Sequence, residues 1–274
     1  MTALEPAPDT AAKERNLADA KAAAAGLASS GRRRPGWGLL LGQPLFVAVV
    51  IAGWAIWRSS AELDSIEQRQ LQWGLIGRLT LEHLQLTAVA TVIVLAVAVP
   101  LGIALTRPGL RRAAPVVVAV ANAGQAAPVI GLIVLLAIWL GFGFWTAILA
   151  LCLYAVLPVL RNTIVGLQGV DRTLVEAGRG MGMSNRAVLG RIELPLAVPV
   201  IMAGIRTALV LVVGTATLAT FIDAGGLGSL ITTGIRLLRY PVLISGAVLV
   251  GALALLIDWA GRLLEEITRP RGLG

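Results

Sequence analysis

Few side chains in this sequence are equipped for bond-making chemistry. It holds a single histidine, His83, with Glu82 beside it, and a single cysteine, Cys152, inside an apolar run. A lone cysteine closes no disulfide within the chain, and no Cys/His set has the spacing of a zinc site. No serine stands in a plausible triad, and His83 reads as a polar anchor near the mouth of a membrane span rather than a general base. No glycine-rich run ends in Gly-Lys-Ser or Gly-Lys-Thr, so the chain has no nucleotide cradle of that kind. The residue types point away from an enzyme and predict no catalytic and no metal-binding residue.

The remaining candidates are polar groups set in apolar surroundings, where each must find a partner or line a wet path. Asn122 and Gln125, followed by Pro128, and Thr215 with Thr217 are uncharged and suit either a solute pathway or helix–helix hydrogen bonds. Arg206 falls about two turns after Pro199 in an otherwise apolar stretch. It can pair with Asp258, snorkel inward or face a cavity, and structural pairing is the reading preferred over solute contact. Gly204, Gly214, Ala203 and Ala208 would let a neighbouring helix approach closely.

The elements that hold these groups are membrane spans. Of 274 residues 57% are hydrophobic and only 14% charged, against about 25% charged in ordinary globular chains. The net charge of +8 is read as an orientation signal and a lipid-headgroup contact, with nucleic acid excluded because no basic soluble domain carries it. Spans are expected at 39–57, 84–105, 116–140, 144–160, 198–222 and 242–259. The segment from Leu71 onward should lie along the outer interface. Basic residues at Arg32-Arg33-Arg34, Arg107 to Arg112, Arg161 and Arg262 mark inner ends, so both termini are expected in the cytoplasm. Trp54, Trp57, Trp139 and Trp145 then fall at the outer interface. Residues 1–36 read as a disordered cytoplasmic tail with a nascent helix at 11–27, 37–264 as one transmembrane domain, and 265–274 as a second cytoplasmic tail. A cleaved signal peptide is disfavoured, because the apolar run starts late and no Ala-x-Ala site follows it.

Between the fourth and fifth spans lies a polar, basic stretch at 170–195, with Arg172, Arg179, Arg186 and Arg191. It reads as two short helices: Asp171 caps the first, Gly180 and Gly182 loosen a reversal around Met181, and Ser184 caps the second, which should stop before Pro195. Such a helix-turn-helix held between spans is a knob that a soluble partner can grip.

Glu176, Ala177 and Gly178, then Gly182 after three residues, then Ile192, Leu194 and Pro195 after nine more, resemble the cytoplasmic loop of permease subunits of ATP-binding-cassette (ABC) importers. The departure is Gly178, where that family has alanine, a change worth roughly 1 kcal/mol of helix propensity. The resemblance covers about 81–264. The segments Glu82 to Thr87, Ala121 to Gln125 with Pro128, Leu157 to Thr163, Gly204 to Ala208, and Gly214 to Thr217 with Gly225 to Gly228 are similar to the branch that imports glycine betaine, carnitine, choline and related osmoprotectants. It implies an all-α, polytopic fold of about six transmembrane helices with the type I importer core, in a bacterial inner membrane. It also implies a cytoplasmic ATP-binding subunit that carries ATP and Mg, an extracytoplasmic solute-binding protein, and a second permease chain in a homo- or heterodimer. Closure of the ATPases on ATP would drive the loops together and open the pathway outward, and hydrolysis would reset it. Glu176, Ala177, Gly178 and Gly182 would then shape the docking knob, Arg179 and Arg186 its charged surface, and Asn122, Gln125, Pro128, Arg206 and Thr215 the pathway. The alternatives are a permease of the same family for an amino acid such as methionine, a channel that opens without ATP, and a membrane-anchored interaction protein using residues 1–36.

Overall fold

The structure, a computed structural model, describes residues 37–268. The expectations for residues 1–36 and for the end of the second tail, 269–274, lie outside the described residues. All packing below belongs to the compact unit that begins at Leu40.

Every regular element among the described residues is helical. In chain order they are α1 (Trp37–Ser60), α2 (Ser65–Gln70), α3 (Trp73–Thr106), α4 (Ala114–Ala126), α5 (Val129–Leu140), α6 (Phe144–Gln168), α7 (Arg172–Gly180), α8 (Asn185–Val188), α9 (Leu194–Ala216), α10 (Gly228–Arg236) and α11 (Tyr240–Thr268). A π turn (Leu189–Glu193) joins α8 to α9, and a 3₁₀ turn (Thr217–Ile222) follows α9. Five helical stretches are long and apolar enough to cross a membrane, and the bent pair α4–α5 makes a sixth crossing if taken as one span.

At the centre is α6, with α3 and α9 packed along it. Each of the three buries residues at a spacing of four: Leu86, Ala90, Val94, Ala98 and Gly102 on α3; Ala147, Leu151, Ala155, Val159 and Thr163 on α6; Gly204, Ala208, Val212 and Ala216 on α9. A stripe at i, i+4 is one ridge of a helix, and small residues in the ridge let backbones close up without a hydrophobic driving force from lipid. The closest approach is at Gly204, where a Cβ would lie 2.7 Å from the carbonyl oxygen of Pro158. Gly214, expected to serve the same purpose, has nothing within 4 Å of an added Cβ.

Several expectations are corrected by this packing. The segment after Leu71 does not lie along the interface: it joins the second span in α3, whose 34 residues run about 51 Å at 1.5 Å per residue. The third span is not straight. Pro128 has no N–H and holds Ala127 in an extended conformation (φ −66°, ψ 142°), so α4 ends and α5 leaves at 97°. Trp54 is not an interface anchor; it is buried, donates from Nε1 to Ser245 Oγ at 2.9 Å, and meets Trp73 edge to face at 5.6 Å. Trp57, Trp139 and Trp145 do remain exposed.

His83 is the largest departure. It has no exposed surface, and its Nε2 lies 3.0 Å from the Val213 carbonyl, just before α9 tightens into the 3₁₀ turn. Next to it, Glu82 accepts from the Gly226 N–H at 3.0 Å. The pair therefore fastens α3 to the C-terminal end of α9 and to the Gly225-Gly226 turn, whose φ angles of 83° and 91° suit glycine.

Candidate functional site: the docking knob and the polar groups of the spans

The knob at 170–195 is built by local rules. Asp171 Oδ1 accepts from the Thr173 N–H at 2.9 Å and caps α7; Ser184 Oγ accepts from the Ala187 N–H at 3.3 Å and caps α8. The reversal between them is a Schellman motif. The Met183 N–H donates to the Gly178 carbonyl at 3.1 Å and the Gly182 N–H to the Arg179 carbonyl at 2.9 Å, which is the crossed pair that closes a helix C-terminus. This motif puts the residue after the cap in the left-handed region, and Gly182 sits there with φ 82°. Gly180 stays inside α7 and supplies no reversal.

The same geometry explains why Gly178 and Gly182 stand four apart. Gly178 is buried, with Ile192 Cδ1 2.6 Å and Met183 Sδ 3.4 Å from where its Cβ would be. The first helix of the knob thus rests on the π turn through a bare backbone. Glu176, Ala177, Arg172, Arg179, Arg186 and Arg191 are exposed. So are Leu174 at 48% and Met181 at 76%, which sequence reasoning passed over. Met181 is forced outward by its place at the tip of the turn, a signal the motif spacing already contained.

The second helix does not stop before Pro195. The chain stays helical through Leu189–Glu193 into α9 by widening one turn. Pro195 cannot donate to the carbonyl four residues back, and its ring crowds that oxygen; a π turn just upstream moves the carbonyl away without breaking the rod.

The polar groups of the spans separate into two sets. Asn122 and Gln125 line an open cavity of about 440 Å³ with Ala123 and Ala126, one turn ahead of the bend at Pro128. Arg206 and Thr215 are not among its lining residues. Thr215 Oγ1 donates to the Leu211 carbonyl at 2.7 Å within its own helix. Arg206 is paired: its Nε lies 2.6 Å from Asp258 Oδ1, and Nη1 3.9 Å from Glu265 Oε2. The other Asp258 oxygen accepts from Arg262 at 2.9 Å and from Gln43 at 3.3 Å.

Comparison with known proteins agrees with this architecture. Residues 98–269 match the family described as binding-protein-dependent transport system inner membrane component. Among curated proteins, the glycine betaine/carnitine/choline transport system permease protein OpuCB of Bacillus subtilis is 43% identical over 192 residues, 70% of this chain and 88% of the relative. The osmoprotectant import permease protein OsmY of Salmonella typhimurium is 37% identical over 227 residues, 81% of this chain and 95% of the relative. Among solved structures, a chain of the MetNI methionine ABC transporter in an inward-facing conformation is similar with a TM-score of 0.62 at 26% identity, covering 72% of this chain and 97% of that one.

Proposed function

The chain belongs to the binding-protein-dependent transport inner-membrane family, and from that premise we propose that it forms the solute pathway of an ATP-driven importer for quaternary-ammonium osmoprotectants such as glycine betaine, carnitine or choline. The substrate class rests on the relatives: osmoprotectant permeases are 37% to 43% identical to it. An amino-acid substrate has the weaker support of a structural likeness at 26% identity. In this reading ATP and Mg sit on a separate cytoplasmic subunit, a binding protein delivers solute outside, a second permease completes the pathway, and both termini face the cytoplasm.

The observation that carries the reading is the knob. Each of its two helices is capped at its N-terminus, a Schellman turn joins them, and the knob presents Leu174 and Met181 amid four exposed arginines. Two apolar tips ringed by positive charge fit a socket with an apolar floor and an acidic rim. The knob moves as one body because its turn is fully hydrogen-bonded, and it continues without a break into α9, which Gly166 and Gly204 hold close against α6. Asn122 and Gln125, at the bend between α4 and α5, are the groups we assign to the solute path.

The test is uptake of labelled glycine betaine, carnitine and choline into proteoliposomes that hold the whole complex, together with ATP hydrolysis. Gly182→Val forces a β-branched residue into the left-handed region, a strain of at least about 1–2 kcal/mol, in a loop outside the lipid. The variant should insert normally and lose the ATPase subunit or its solute-stimulated hydrolysis, and transport with it. Wild-type uptake and hydrolysis in Gly182→Val would remove the knob as the coupling element.

A further inference from the structure

Leu189 and Leu194 seat the end of the knob on the apolar cluster of Leu167, Ala197 and Ile201, and two adjacent residues of the π turn make more specific contacts. Ile192 packs on Gly178 of α7. Glu193, the next residue, is 8% exposed and reaches across 86 positions to Arg107, with Glu193 Oε2 2.5 Å from Arg107 Nη2. Arg107 is the C-cap of α3, its backbone N–H donating to the Ala104 carbonyl, and Pro108 follows it at once. Its Nε is buried with no hydrogen-bond partner, and Glu193 engages the guanidinium through Nη2.

We propose that the Arg107–Glu193 ion pair is the strut that transmits displacement of the docking knob to α3, so that two spans, α9 and α3, move together when the partner ATPase closes.

The physical case rests on stiffness and on alternatives. A widened helical turn is a natural point of bending, since it has already given up one regular hydrogen-bond register. Left free, it would let the knob swing while α9 stayed still. Glu193 is the last residue of that turn, and it is fixed by a charge-assisted bond to another helix's end. The pair is half shielded, with side-chain exposures of 34% for Arg107 and 10% for Glu193. The carboxylate therefore has no good solvated alternative and stays engaged as the knob moves. Neither residue lies on the exposed surface of the knob, and neither lines the cavity at Asn122. Their role is positioning, not solute or partner contact.

The inference rests on the importer reading, and the experiment separates the two. The complete complex is reconstituted with its ATPase, binding protein and partner permease, and three quantities are read: ATPase subunit retained on purification, ATP hydrolysed, and labelled glycine betaine imported per ATP. Wild-type complex that hydrolyses ATP without importing any of the three osmoprotectants would sink the substrate reading while leaving the strut open to measurement by knob-to-α3 disulfide trapping. With import established, Glu193→Gln keeps shape and removes charge. It should retain the ATPase subunit and lower solute imported per ATP about tenfold, the size of an ordinary intersite coupling. The reversed pair Arg107→Glu with Glu193→Arg should recover a good part of that ratio, where either reversal alone should not. An unchanged ratio in Glu193→Gln overturns the strut. So does loss of the ATPase subunit together with a reversed pair that recovers nothing, because that result assigns the pair to assembly alone.

Discussion

Arg206 offers the sharpest quantitative test of how the spans are held. Both oxygens of Asp258 are engaged: Oδ1 by Arg206 at 2.6 Å, Oδ2 by Arg262 at 2.9 Å and by Gln43 at 3.3 Å. The arrangement is unequal. Among the described residues Asp258 is the only carboxylate within 3 Å of either arginine, whereas Asp258 itself has three donors. Asp258→Ala therefore leaves Arg262 without this counter-charge and leaves Arg206 the more distant Glu265, 3.9 Å away. Breaking a buried pair costs about 3–5 kcal/mol; with Arg206 and Arg262 about a third exposed they can partly snorkel, and about 3 kcal/mol is expected. Arg206→Met keeps an apolar stem and removes one charge-assisted bond, while Asp258 retains Arg262 and Gln43. That should cost about 1.5 kcal/mol, the low end for a hydrogen bond to a charged group.

At about 2–4 °C of Tm per kcal/mol for a chain of this size, thermal unfolding of the detergent-purified protein should show Asp258→Ala roughly 6–12 °C below wild type. Arg206→Met should fall about half as far. The double variant should sit near Asp258→Ala alone, since the pair's energy is lost only once. Equal losses in the two singles that simply add in the double, with normal transport, would refute the pairing and leave snorkelling as the account of Arg206.

Other perturbations follow from the same packing. Gly204→Ala drives a Cβ to 2.7 Å from the Pro158 carbonyl oxygen, and should cost about 1–3 kcal/mol by overpacking; Gly214→Ala, with open space around it, should be neutral or stabilising in the same thermal assay. Cysteines introduced singly at Ser65 and Asn185 in a Cys152→Ser background report orientation: an impermeant thiol reagent should label position 65 and not 185 in intact cells, and the opposite pattern would invert the topology. In the connection between α1 and α3, the Glu67 N–H, backed by the Ile66 N–H and Arg239, holds the Asp64 carboxyl below its usual range. A depressed carboxyl contributes stability above its unfolded value, near 4, and loses it as pH falls through the folded one. Protection of the Ile66 and Glu67 amides from exchange should therefore stay level above about pH 4 and drop below, and a drop already present at neutral pH would contradict the cap.

What the sequence made legible was the local and the compulsory. The caps at Asp171 and Ser184 and the reversal at Gly182 were readable because each is satisfied within a few residues. Arg206 with Asp258 was readable because a charge in an apolar span must find its opposite. His83 was misread for the converse reason. A neutral imidazole can be buried if one carbonyl is spared for it, and the Val213 carbonyl is spared only because α9 changes to a 3₁₀ turn some 130 residues away. Nothing local to His83 signals that. Trp54 is similar: its partner Ser245 lies on α11.

The prolines show where local rules stop. Pro44, Pro100, Pro158 and Pro199 all lie inside helices, whereas Pro128 ends one and Pro195 widens one. Each imposes the same local demand: one donor missing, and one carbonyl four residues back crowded. The outcomes differ because the cheapest relief depends on what surrounds the chain. At Pro128, itself exposed, the turn just upstream lines an open cavity, so the freed backbone groups can be solvated and the chain can turn by 97°. At Pro195 the preceding residues are gripped from two sides, Ile192 against Gly178 and Glu193 by Arg107. A sharp turn there would break both contacts, and widening by one residue preserves them. The π turn is thus maintained by the grip and not by the proline alone. The contacts that deny Pro195 the outcome of Pro128 are then the ones that let the knob and α9 move as a single rod.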